Sequence, residues 1–219
     1  MTYDTSFYNK KWADVIKKLP KGGSYHLDLR QHGHEIVKDH IEEGSSVFDF
    51  ACGLGVVSSQ LEAEKQCKTA GCDISEVAVN YVKEHTDGDF RVTDEMFGEH
   101  YDCVIALQFL EHIPNPVEWL NYTFKYTEKI ICSLPNNFNH TGEHTNMQWS
   151  SWGQFQKLFK GFTWKRVDKD KYPSGLAHPF KHPIVIFTKE VKNDSSVDVH
   201  TENPVRKRSK RTRKNVKTL

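Results

Sequence analysis

Two carboxylates and a glycine-containing turn have the residue types and the spacing to bind one nucleoside. Gly53 and Gly55 follow an apolar stretch that ends at Phe50, and because they lack side chains the backbone can turn sharply and a ligand can approach closely. Asp73 lies 20 residues past Gly53, and a carboxylate there can accept hydrogen bonds from a ribose diol. Asp94 ends a later predicted strand, where it could meet the adenine edge.

The charge around the turn indicates which nucleoside it suits. A dinucleotide-binding turn has the pattern G-x-G-x-x-G, but Ser58 occupies the third glycine position here. Asp49, just before the turn, would repel a pyrophosphate and would suit the positively charged methionine end of S-adenosylmethionine. The residues themselves therefore favour a cationic nucleoside over NAD.

Apolar runs alternate with helical patterns along most of the chain, and this alternation predicts the elements that must position those residues. The predicted strands are Ser46–Phe50, Cys67–Asp73, Phe90–Thr93, Tyr101–Leu107, Lys129–Leu134, Phe162–Asp168 and Pro183–Lys189. The predicted helices are Tyr8–Leu19, Leu27–Ile41, Val57–Glu64, Ser75–His85, Pro116–Tyr126 and Ser151–Phe159.

This order of elements predicts an α/β fold. Strands that alternate with helices form a mainly parallel sheet covered on both faces, so we expect a doubly wound, seven-stranded, Rossmann-like sheet. The last two strands have no helix between them and should form an antiparallel hairpin. We expect an N-terminal helical lid segment over residues 1–43, the sheet domain over 44–190, and a disordered basic tail over 191–219.

Four motifs in this order resemble those of class I S-adenosylmethionine-dependent methyltransferases. The stretch Val47–Gly55 resembles motif I, usually hydrophobic-Asp-hydrophobic-Gly-x-Gly-x-Gly, with Ala51 in place of the first glycine, a replacement that suits a negative φ. Gly71–Ser75 looks like the motif with the ribose-binding acid, and Thr93-Asp94 matches the adenine-side pair. The stretch Tyr101–Ile113 is similar to the strand that leads to Leu-Glu-His. The resemblance covers roughly residues 44–190.

The resemblance implies methyl transfer from S-adenosylmethionine to an acceptor, for which a small molecule methylated at oxygen or nitrogen is the leading expectation. The implied cofactor-binding residues follow the first four strands: Asp49, Ala51, Cys52, Gly53, Gly55, Asp73, Ile74, Asp94, Ala106 and Leu107. Positioning can supply much of the barrier reduction for such a displacement, so an obligatory catalytic residue is not expected.

Three histidines are nevertheless candidates for a general base toward a hydroxyl acceptor. His112 follows the fourth strand, and His140 and His144 follow the fifth. A related group of O-methyltransferases binds a divalent metal through Glu-x-x-Glu-His and a later histidine. Here Gln108 takes the first acid position and is a poor ligand, so the expectation is no metal, with Glu111, His112 and His144 as the remaining candidates.

The two termini of the chain and its cysteine content indicate where the protein is located and what it could bind. No apolar window reaches ~18 residues, so no membrane span is expected, and the polar, aromatic start does not resemble a signal peptide. Four of the five cysteines sit in or beside apolar runs, as buried thiols do in a cytoplasmic protein. From Glu190 onward nine Lys/Arg face four Asp/Glu, so the tail could bind nucleic acid.

Two other functions remain open on the sequence. One is a nucleic-acid methyltransferase, acting on the ribose 2′-oxygen or a base and anchored by the basic tail. The other is a binding protein that has kept the S-adenosylmethionine site and lost catalysis, for which Ala51 and Gln108 are the only hints.

Overall fold

A seven-stranded sheet organises the computed structural model, which describes residues 4–19, 35–135, 147–168 and 182–189. The strands are β1 Ser46–Phe50, β2 Lys68–Asp73, β3 Asp89–Val92, β4 Cys103–Leu107, β5 Lys129–Ser133, β6 Thr163–Arg166 and β7 Ile184–Thr188. All seven predicted strands are confirmed, with ends displaced by no more than two residues. Their spatial order is β3-β2-β1-β4-β5-β7-β6.

The central strands carry continuous apolar runs because both faces of the sheet are covered. β1 pairs in parallel with β2 on one side and with β4 on the other, and β5 continues the parallel sheet beyond β4. Phe48 and Val104 pack into the core on one face, whereas Val47 and Ile105 pack into the core on the other. The doubly wound arrangement expected from the sequence is therefore confirmed.

The final two strands form an antiparallel pair, as predicted, but β7 also inserts between β5 and β6. Asp168, which is 1% exposed, stabilises the end of this pair. Its carboxylate accepts two bonds from the Arg166 guanidinium at 2.8 and 2.6 Å and one from the Ile184 backbone N–H at 2.9 Å.

Five helices flank the sheet in the described part of the chain: α1 Thr5–Ile16, α2 Val56–Lys65, α3 Glu76–Lys83, α4 Pro116–Thr123 and α5 Trp152–Leu158. α1 begins three residues before the predicted start because the Asp4 carboxylate caps it, accepting from the backbone N–H groups of Ser6 and Phe7. The predicted helix Leu27–Ile41 is helical over residues 35–38 and ends before Ile41, and residues 27–34 lie outside the described ranges.

The later helices differ in how their N-termini are capped. Asn115 occupies the N-cap position of α4 with Pro116 behind it, but its side chain makes no capping hydrogen bond. Ser151 caps α5 by accepting from the Gln154 backbone N–H at 3.3 Å. The Gln154 side chain completes the cap on Ser150 instead of Ser151.

The turn after β1 corrects one expectation. Ala51 has a φ of 56°, in the left-handed region, and not the negative φ that its replacement of a glycine implied. A Cβ in this region costs about 1–2 kcal/mol because it approaches the following carbonyl oxygen. The turn therefore keeps the backbone path of a glycine at the expense of local strain.

No helix among the described residues combines the length and the apolar character needed to cross a membrane. All five cysteines fall in the described ranges, and each is a buried free thiol.

Replacing Ala51 with glycine is expected to raise the free energy of unfolding by about 0.5–1 kcal/mol, since relief of the left-handed strain exceeds the backbone entropy that glycine adds to the unfolded chain. Urea or thermal unfolding measures the change. The matched control is Ala63→Gly, which places the same substitution on the exposed part of α2 and should destabilise by about 1 kcal/mol. If Ala51→Gly lowered the free energy of unfolding as much as Ala63→Gly does, the backbone at Ala51 would not be strained.

Candidate cofactor site

The chain reverses its direction of travel across the sheet between β1 and β4. From β1 the parallel strands proceed outward through β2 and β3 on one side, and from β4 through β5 on the other. In open α/β sheets ligands bind at such a switch point, beyond the carboxyl ends of the strands. Nine of the ten residues predicted to bind the cofactor lie at the carboxyl ends of β1, β2 and β4 or in the loops that follow these strands.

Asp73 links the first two of these loops. Its side chain is 7% exposed, and one carboxylate oxygen accepts from the Gly53 backbone N–H at 3.0 Å while the other accepts from the Ser75 backbone N–H at 2.8 Å. The Asp73 carbonyl accepts from the Thr93 backbone N–H at 3.2 Å, which holds the end of β3 beside the same loop. An ionised carboxylate has about four lone-pair sites, so it can accept more hydrogen bonds than these two.

Asp49 is held by Ser58, which stands where a dinucleotide-binding turn has its third glycine. Asp49 is 4% exposed, and the fully buried Ser58 hydroxyl on α2 donates to its carboxylate at 2.7 Å. This bond fixes the orientation of a buried carboxylate directly below the turn. The signal in the sequence was a small polar residue on the otherwise apolar inner face of α2.

The two glycines of the turn have a packing reason as well as a conformational one. Gly53 and Gly55 have φ values of 53° and 65°. A Cβ on Gly53 would lie 2.6 Å from the Trp12 ring of α1, and a Cβ on Gly55 would lie 2.0 Å from a methyl group of Val82 on α3. Side chains at both positions are therefore excluded by the helices packed against the turn.

A second missed residue is Asn9 on α1. Its side-chain oxygen accepts from the Ser75 hydroxyl at 2.7 Å and from the Val77 backbone N–H at 3.3 Å. The N-terminal helix thus contacts both loops of the site, through Trp12 on the first and Asn9 on the second. No sequence pattern signals this contact, because it joins residues more than sixty positions apart.

The remaining predicted cofactor residues differ in exposure. Cys52 and Ala106 are buried, Ile74 and Leu107 are partly buried, and Asp94 is exposed just beyond β3. Burial raises the pKa of the Cys52 thiol well above its ordinary value, and the neighbouring charges of Asp49 and Asp73 add to this. The thiol therefore stays protonated at neutral pH and does not supply a nucleophile.

The segment after β4 is also strained. Gln108 has a φ of 55°, and its backbone N–H donates to the Ser133 carbonyl and hydroxyl at the end of β5, at 3.1 and 2.9 Å. Its side-chain amide donates to the same hydroxyl at 3.2 Å. Left-handed non-glycine residues cluster at functional sites, and both Ala51 and Gln108 lie at the switch point.

Three aromatic rings meet on the same part of the sheet. Phe50 at the end of β1, Phe109 after β4 and Trp119 on α4 have ring centroids 4.9 to 5.2 Å apart. The contacts are tilted or edge-to-face, as aromatic pairs prefer. They fix the loop after β4 against α4.

Of the predicted catalytic and metal-ligating residues, Glu111 and His112 lie in a 3₁₀ turn, Leu110–His112. Glu111 is fully buried, whereas His112 is partly buried. Burial raises the pKa of the Cys132 thiol well above its ordinary value, and the nearby charge of Glu111 raises it further. His140 and His144 lie outside the described residues. Within the described ranges no three His, Cys, Asp or Glu side chains are grouped to hold a metal ion.

Known proteins share this fold. A putative methyltransferase of Haloferax volcanii, solved in complex with the Trm112 methyltransferase activator, is 15% identical and superposes with a TM-score of 0.62 over 86% of this chain and 98% of its own. Magnesium protoporphyrin IX methyltransferase from Synechocystis, solved with bound S-adenosylmethionine, is 18% identical, with a TM-score of 0.58 over 87% and 99% of the two chains.

Curated relatives match over shorter stretches. The ubiquinone biosynthesis O-methyltransferase of Stutzerimonas stutzeri is 30% identical over 91 residues, which cover 36% of this chain and 39% of that protein. The corresponding enzyme of Nitrosospira multiformis is 31% identical over 84 residues, 34% and 35% of the two chains. The chain therefore spans well under half the length of these relatives.

Residues 7–167 match the family model described as a methyltransferase domain, a range that includes most of α1, both loops joined by Asp73 and the strained segment after β4. The chain therefore belongs to the methyltransferase domain family, and its 3-2-1-4-5-7-6 strand order is that of the Rossmann-like fold of class I S-adenosylmethionine-dependent methyltransferases.

Proposed function

We propose that this protein transfers a methyl group from S-adenosylmethionine to a small-molecule acceptor, at oxygen or nitrogen. The observation that carries the proposal is the buried Asp73 carboxylate, which bridges the glycine turn and the start of α3 at the carboxyl edge of the sheet. The names of the partial relatives, ubiquinone biosynthesis O-methyltransferases, favour oxygen.

The residues present fit a cationic nucleoside. Asp73 would accept from the ribose hydroxyls, and the exposed Asp94 would meet the adenine. Asp49, held in place by the Ser58 hydroxyl, supplies negative charge beneath the turn. The bound cofactor supplies a methyl carbon already activated by a sulfonium, so the protein need only position the two partners.

For a hydroxyl acceptor, a base beside the site would hold the departing proton. We assign this role to one of the three histidines that follow β4 and β5: His112, His140 or His144. An imidazole with a pKa near 6.5 is half deprotonated close to neutral pH and needs no large environmental shift to act. The buried thiols also support a reducing, cytoplasmic location.

Replacing Asp73 with alanine is expected to weaken S-adenosylmethionine binding by at least about 100-fold. Two hydrogen bonds to a charged acceptor contribute about 1.5–3 kcal/mol each, and each 1.4 kcal/mol is about tenfold in affinity. Isothermal titration calorimetry measures the dissociation constant, and circular dichroism checks that the variant is folded.

The matched control is Asp89→Ala, which removes an exposed carboxylate from the edge strand β3. Its cofactor affinity should equal that of the wild type. Absence of wild-type binding at millimolar cofactor, or equal affinity of the Asp73→Ala variant, would refute the proposed function.

Radiolabelled methyl transfer should identify the acceptor class. Phenols, catechols, carboxylic acids and amines are offered in parallel with single-stranded and duplex RNA and DNA. Label is expected on a small hydroxyl compound, and deletion of residues 204–219 should leave the rate unchanged. Label on nucleic acid that is lost with added salt and with the deletion would instead support the tail-anchored alternative.

Glutamine substitutions at His112, His140 and His144 test the general base once an acceptor is known. Loss of the base should lower kcat by about 10²- to 10⁴-fold and abolish the fall in rate below pH ~6.5, with the KM for the cofactor unchanged. Three variants with wild-type kcat and an unchanged pH profile would show that positioning alone drives the reaction.

A further inference from the structure

α1 presents two side chains, three residues apart and therefore on one helix face, to the two loops of the cofactor site. Asn9 contacts the loop between β2 and α3, and Trp12 contacts the glycine turn after β1. Trp12 also forms a small buried cluster with Leu54 and Ala78. α1 is thus attached to the sheet domain chiefly through the elements that form the site.

The Asn9 contact continues directly to Asp73. Ser75 uses its hydroxyl to donate to Asn9 and its backbone N–H to donate to the Asp73 carboxylate, at 2.7 and 2.8 Å. The Ser75 hydroxyl oxygen also accepts from the Ala78 backbone N–H at 3.3 Å, which caps α3. Asn9 therefore fixes the rotamer of a residue that holds one of the two Asp73 oxygens.

The Trp12 contact reaches the other Asp73 oxygen. Gly53 donates its backbone N–H to Asp73 at 3.0 Å, and the Trp12 ring fills the space beside the Gly53 Cα. Trp12 is 7% exposed, so this packing excludes water from the outer side of the turn. Both backbone groups that hold Asp73 are thus backed by α1.

We propose that Asn9 is a positioning residue for the cofactor site, through which docking of α1 sets the affinity for the nucleoside. Asn9 orients Ser75, Ser75 orients the Asp73 carboxylate, and the carboxylate receives the ribose. Linkage requires the converse, that a bound nucleoside strengthens the docking of α1 by the same factor. This inference rests on the proposed function, since it concerns the same carboxylate.

The test compares three variants of α1 in the full chain. Asn9→Ala removes the acceptor, Asn9→Asp keeps an oxygen that can accept both bonds, and Lys10→Ala alters the adjacent exposed residue. S-adenosylhomocysteine is titrated calorimetrically into each. We expect about fivefold to tenfold weaker binding for Asn9→Ala, the size expected from loss of a cap, and near-wild-type binding for the other two variants.

Hydrogen exchange supplies the reciprocal measurement. S-adenosylhomocysteine should slow exchange of the α1 amides in the wild type and in Asn9→Asp, and should do so less in Asn9→Ala. A lower melting temperature of Asn9→Ala with unchanged affinity and unchanged protection would overturn the inference and leave a purely structural capping role. Absence of binding to the wild type would overturn the inference together with the proposed function.

Discussion

The bridge that the Asp73 carboxylate makes between the Gly53 and Ser75 backbone N–H groups is the constraint on which the rest of the site depends. It joins the turn after β1 to the loop after β2 through the protein's own atoms, so the two loops are held in register for a nucleoside. A bridge of this kind reduces the entropy that would otherwise be lost in ordering the loops around a ligand. The carboxylate is mostly buried, and its partners are backbone groups, which side-chain motion does not displace.

Close packing around this bridge, and not only contact with a ligand, explains the glycines and the left-handed residues of the site. Gly53 and Gly55 are required because Trp12 and Val82 occupy the space of their side chains. Ala51 and Gln108 are held in left-handed conformations at the ends of β1 and β4, the two strands between which the sheet changes direction. Such strain persists only where surrounding contacts determine the backbone conformation. Here these contacts are the hydrogen bonds from Gln108 to Ser133 at the end of β5 and the ring contact between Phe50 and Phe109.

Much of the fold was predictable because it follows from local pattern. Continuous apolar runs such as Cys103–Leu107 indicate strands buried on both faces, and the lack of a predicted helix between the last two strands indicates an antiparallel pair. The insertion of β7 between β5 and β6 was not predictable, because it depends on which edge offers the better pairing partner. Asp49 and Asp73 were found from spacing, whereas Ser58 and Asn9 were missed because each acts through a contact distant in sequence.

A crystal structure with S-adenosylhomocysteine would show directly whether Asp73 receives the ribose. Asp73 should lie within hydrogen-bond distance of both ribose hydroxyls while keeping its bonds to Gly53 and Ser75, and the Gly53–Gly55 turn should lie against the amino-acid part of the ligand. A nucleoside bound away from the carboxyl ends of β1 and β2, or oriented with its ribose away from Asp73, would contradict the account.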